Sequence, residues 1–76
     1  MTAFRAQPWV ESFSSREIEV LHLISNGLSN REIAEKLYLS IETIKWYNKQ
    51  MFMKLGVKNR TEAVARARLL GLLPQD

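Results

Sequence analysis

An all-α fold is what this 76-residue sequence predicts, and three observations carry the prediction. Short polar residues stand three positions ahead of glutamates, the spacing found where helices begin. Glycines stand where those helices would end. Between these marks apolar residues recur with a period near 3.6, and no window alternates strictly enough for a strand. The expected product is a compact four-helix domain with a central helix-turn-helix.

Residues 1–12 (MTAFRAQPWVES) lack helical periodicity and contain Pro8. They read as an N-terminal tail or the end of a linker, with residues 13–76 as the domain. Trp9 and Phe13 are still able to pack on it. Ser14 with Glu17 opens the first helix, Ser29 with Glu32 the second, and Asn59 with Glu62 the fourth. In each pair the short side chain accepts from a free helix-start N–H, and the glutamate can reach back. Ser40 opens the third helix, with Thr43 in the glutamate's place. Phe13 with Ile18, and Leu28 with Ile33, have the spacing of hydrophobic staples. Gly27, Gly56 and Gly71 mark three helix ends, and Pro74 follows the last. The helices therefore run over 15–26, 30–37, 41–55 and 60–70. Their inward faces are Ile18, Val20, Leu21 and Ile24; Ile33, Ala34 and Leu37; Ile44, Tyr47, Met51 and Leu55; and Val64, Ala67 and Leu70.

Composition narrows the function. One small domain of this size cannot also hold a deep enzyme cleft. With 46% apolar residues the chain is a globular protein and not a disordered one. It has no cysteine, which excludes disulfides and thiolate metal sites, and one histidine, His22, which excludes a histidine cluster. No Gly-rich phosphate loop and no nucleophile beside a base is visible, so no enzyme, cofactor or metal is expected. No apolar run approaches the ~20 residues of a membrane span, and nothing resembles a signal peptide. A cytoplasmic protein is the expectation. The net charge of +3 is unevenly placed. Lys45, Lys49, Lys54, Lys58 and Arg60 fall in one window without an acid, whereas residues 1–44 carry four basic and six acidic residues. Such a window suits a phosphate-binding surface, and equally a solvated helix face.

The second and third helices are joined by only Tyr38, Leu39 and Ser40. A short helix, a tight turn and a longer helix make a helix-turn-helix, although ordinary helical hairpins share the pattern. The turn usually contains glycine, and this one does not. At ~100° per residue, Glu42, Trp46, Lys49 and Met53 lie opposite Ile44, Met51 and Leu55, with Lys45 to one side. Lysine can contact guanine edges or phosphates, and an apolar side chain can contact a thymine methyl. Solvation is the plain alternative for the lysines, and closing the core is the alternative for Trp46. The starts of the second helix (Ser29, Asn30, Arg31) and third helix (Ser40, Thr43) offer N–H groups to phosphate as well as to their own caps.

Residues 13–73 resemble the LuxR-type (GerE- or NarL-like) helix-turn-helix domain. The matching blocks are FSSREIEVL, GLSNREIAEKLYLS, TIK, KLGVKNRTEAVARA and GLL. The closing VARARLLGLL is most similar to the MalT-like branch. The resemblance implies a transcription-factor domain that binds double-stranded DNA through its third helix. It places base reading on Lys45, Trp46 and Lys49, and phosphate contact on Asn30, Thr43, Lys54, Lys58 and Arg60. Two positions depart from the family pattern: Tyr47 stands where histidine is common, and Met51 where a β-branched residue is. The resemblance also implies a pairing surface on the fourth helix, read here as Ala63, Ala67 and Leu70. Stable pairs bury well over ~1,000 Å², so a weak homodimer formed only on DNA is expected. RNA polymerase is a further candidate partner, and the domain would associate with the nucleoid when bound. Regulators of this kind usually carry a sensor, receiver or ATPase segment upstream, which makes this chain a candidate C-terminal portion. The alternative from another class is a helical protein-interaction module using Trp46, Phe52 and Met53.

Overall fold

The computed structural model describes residues 13–74. Its elements are α1 (Ser15–Ser25), α2 (Asn30–Leu37), α3 (Ile41–Leu55) and α4 (Arg60–Leu69), and no strand occurs among the described residues. The segment 1–12, with Trp9, lies outside them.

Every helix starts where a side chain takes over a backbone donor. Ser14 Oγ accepts from the Glu17 N–H at 3.0 Å, and Glu17 Oε1 accepts from the Ser14 N–H at 2.8 Å. Ser29 and Glu32 make the same reciprocal pair at 3.1 and 2.8 Å. At α3, Ser40 Oγ accepts from the Thr43 N–H at 3.0 Å, and the two hydroxyls meet at 2.8 Å. The fourth start departs from the expected box. Asn59 Oδ1 accepts from the Glu62 N–H at 2.9 Å, but the Glu62 carboxylate accepts from the Lys58 N–H at 3.0 Å instead of the cap's own.

The helix ends are alike. The N–H groups of Leu28, Leu39, Val57 and Leu72 donate to the carbonyls of Leu23, Ala34, Phe52 and Ala67, at 2.9 to 3.1 Å. This closure puts the preceding residue in the left-handed region. Gly27, Gly56 and Gly71 fill three of those places, and Tyr38 fills the fourth at φ +59°. The turn between α2 and α3 thus keeps the shape of a glycine turn without glycine. The Tyr38 Cβ makes that conformation costly, while its ring stands 95% exposed.

The core draws on all four helices. Val20, Leu21 and Ile24, then Ile33 and Ala34, then Ile44, Met51 and Leu55 are buried, together with Ala63, Ala67 and Leu73. Phe13, Leu28, Leu37, Leu39, Tyr47 and Val64 pack against them, half-buried. One expectation is corrected on α4. Ala63 and Ala67 are 0% exposed, so neither can contact a second molecule. The small side chains do permit close helix approach, but the partners are α1 and α3 of the same domain. Leu70, the third expected pairing residue, is half-buried.

Candidate nucleic-acid interface

The helix-turn-helix is α2, the link 38–40 and α3. Apolar packing alone allows two helices to slide. Here a polar tie adds a register: Asn48 Nδ2 on α3 donates to Asn30 Oδ1 at the start of α2, at 2.9 Å. Asn48 is 8% exposed and sits in phase with Ile44, Met51 and Leu55. A polar residue in a core phase was the signal that could have revealed this tie. Its partner, eighteen residues away, carried no such mark.

With Ile44 and Met51 fully buried, the opposite side of α3 is open. Glu42, Lys45, Trp46, Lys49 and Met53 are all exposed there. Lys45 lies 3.8 Å from Glu42, with the two side chains 59% and 85% exposed, so water screens the pair and it holds neither residue. Lys49 has no ion-pair partner among the described residues. Trp46 is 55% exposed and is steadied on one side, its ring meeting that of Tyr47 edge-on with centroids 5.2 Å apart. The three residues expected to read bases therefore share one open face.

The five expected phosphate contacts divide. Asn30 and Thr43 lie half-buried at the starts of α2 and α3, beside the capping hydroxyls of Ser29 and Ser40. Lys58 is exposed on the link to α4. Lys54 and Arg60 have partners inside the domain. Lys54 Nζ donates to both carboxylate oxygens of Glu17, at 2.8 and 2.9 Å, and stands 5.3 Å from the centre of the Phe13 ring. Arg60 donates to the Leu28 carbonyl, and its Nε is buried without a partner. Both cations fasten the domain: Lys54 joins the end of α3 to the start of α1, and Arg60 joins α4 to the α1–α2 link. Arg66 adds a third tie, donating to the Leu55 carbonyl at 3.0 Å.

Glu17 was not foreseen as an anchor. Burial pushes its carboxyl pKa up, but the Lys54 and Ser14 hydrogen bonds and the Lys54 charge outweigh that, holding it below the ordinary value. Its capping role was readable from Ser14, whereas Lys54, thirty-seven residues on, was not.

Four helices on one core, two joined by a tight turn, and a lysine-bearing face left open on the longer of the two: these define an all-α helix-turn-helix domain. A family model described as bacterial regulatory proteins, luxR family, matches residues 11–67. The chain belongs to that family. It is 47% identical over 58 residues to the HTH-type transcriptional regulator AlkS of Alcanivorax borkumensis, covering 76% of this chain and 7% of that protein. It is 41% identical over 66 residues to the oxygen regulatory protein NreC of Staphylococcus aureus, covering 87% of this chain and 30% of that one. Among solved structures, the response regulator ChrA of a heme-sensing two-component system superposes with a TM-score of 0.80 at 40% identity, over 95% of this chain and 34% of that one. The chain thus corresponds to a minor part of each of these proteins. No helix among the described residues is long and apolar enough to cross a membrane.

Proposed function

We propose that this domain binds double-stranded DNA with α3 in the major groove, and that it regulates transcription from the site it occupies. One observation carries the reading: Trp46 and Lys49 are exposed on α3 opposite the buried Ile44 and Met51, with Lys45 exposed to one side of them. A helix with that division can enter a groove without disturbing its core. The lysines meet guanine edges or phosphates. Thr43, Asn30 and Lys58 hold the backbone, where N–H groups at the starts of α2 and α3 already favour phosphate.

Pairing on DNA falls to the outer side of α4. Thr61 and Ala65 are exposed there, and Leu69 is 76% exposed. That surface is small, so two half-sites on one duplex are needed to supply the effective concentration. An interaction module for another protein is the competing reading, favoured by the exposure of Trp46 and Met53. Phe52 leaves that patch, because it packs on the core.

Fluorescence anisotropy on one-half-site and two-half-site duplexes, from low to moderate salt, tests both points. Log affinity should fall linearly with log salt, by about 0.9 per neutralised phosphate. Binding to the longer duplex should be cooperative, and Leu69→Asp should remove the cooperativity while sparing half-site affinity. A salt-independent affinity would overturn the DNA reading. Cooperativity that survives Leu69→Asp would overturn the pairing surface.

A further inference from the structure

We propose that Trp46 reads the C5 methyl group of a thymine, and that Tyr47 is the positioning residue that aims its ring. The inference rests on the DNA reading above and names what that face recognises.

The indole of Trp46 is one that the core does not use. Core-side positions of α3 are filled by Ile44 and Met51 at 0% exposure, while Trp46 on the other side is 55% exposed. An exposed aromatic ring is costly in water unless a partner covers it. Yet Trp46 is not loose. Tyr47, half-buried against the core, presents its ring at 71° to the indole with centroids 5.2 Å apart. That edge-on contact restricts the indole before any ligand arrives. A ring with two side-chain torsions, already held, loses little entropy on binding.

Base chemistry then selects the partner. In the major groove guanine, cytosine and adenine present hydrogen-bonding groups, and thymine alone adds a methyl. Covering a polar base edge with an indole face strands donors and acceptors, whereas covering a methyl strands nothing. Lys45 and Lys49, exposed on either side of Trp46 in the chain, are suited to the polar edges and phosphates around that methyl. The same arrangement argues against a protein partner. Met53, the other exposed apolar residue of the face, is two turns from Trp46, with Lys49 between them. The centre of a protein contact is depleted in charge, and this one would have a lysine in its middle.

Replacing thymine with uracil removes the methyl and keeps the pairing. Duplexes selected by the domain from a random-sequence pool supply the probe. Each thymine of a selected half-site is then exchanged for uracil in turn. One exchange per half-site should weaken binding roughly three- to tenfold. Trp46→Ala should bind thymine and uracil duplexes equally. Tyr47→Leu, which keeps an apolar group against the core, should reduce the thymine-to-uracil ratio, and Tyr47→Phe should restore it. Uracil tolerated at every thymine by a domain that still selects sequences would overturn the methyl reading and leave the DNA reading intact. A Tyr47→Leu domain with the full ratio would remove Tyr47 from the proposal. Selection of no sequence at all would overturn base reading at Trp46, and a salt-independent affinity besides would overturn the DNA reading itself.

Discussion

Two regions of the basic window, residues 45–60, put positive charge to different use. Along the first turns of α3, Lys45 and Lys49 stand in water on the open face. Between the end of α3 and the start of α4, Lys54 holds a buried carboxylate and Arg60 holds a carbonyl of the α1–α2 link. The difference is one of solvation. An ammonium in water, with no ion-pair partner among the described residues at Lys49 and only a water-screened one at Lys45, keeps its charge available, and phosphate can displace its counterions. An ammonium bonded to Glu17 is already neutralised, and phosphate would have to outbid an anion only 4% exposed. The first region is therefore suited to recognition and the second to holding the recognising helix still.

The largest expected effect tests whether the open face is open at all. Met51 is 0% exposed on the opposite side of α3, so Met51→Ala should cost about 2–5 kcal/mol in a urea or thermal melt. A small domain has about 5–15 kcal/mol in total. A melt that hardly moves would mean that α3 is rotated, and the whole division of its faces would go with it.

The second test sets the two regions against each other. Lys49→Ala should weaken duplex binding by about 1–3 kcal/mol with an unchanged melting temperature. Lys54→Met should do the reverse, lowering the melting temperature and leaving the salt dependence of binding as it was. If both variants lose the same share of the salt dependence, the division between recognition and fastening fails.

Acid sharpens the second region alone. Glu17 is held below the ordinary glutamate pKa, so its stabilising share is complete above the ordinary range. That share is lost as pH falls through the ordinary range towards the lower folded value. Glu17→Gln should cost about 1–3 kcal/mol at neutral pH and should flatten the acid side of the stability profile. Parallel profiles for the two proteins would show that folding leaves the Glu17 pKa where it was.

The smallest effect concerns the turn that carries α3. Tyr38 occupies a left-handed place that glycine fills at the other three helix ends. Tyr38→Gly should raise stability by about 0.5–1 kcal/mol, the steric relief less the extra freedom of the unfolded chain. A loss of stability would show that the exposed ring has a contact of its own.

The sequence by itself determined the element plan. Caps, glycines and a 3.6 period are local signals, and local hydrogen bonds answer them. All four helices begin at the expected residue and end within one of it. The open face of α3 was equally readable, because it follows from the phase of Ile44, Met51 and Leu55 within one helix. Tertiary structure alone decided the rest. It took Ala63, expected on the pairing surface, into the core beside Ala67. It separated Lys54 and Arg60 from Lys45 and Lys49, and it tied Asn48 to Asn30. Each of the three hydrogen-bonded ties depends on a partner 18 to 37 residues away. Periodicity shows which face of a helix is apolar, but only packing brings distant groups together and decides which cations are neutralised within the domain.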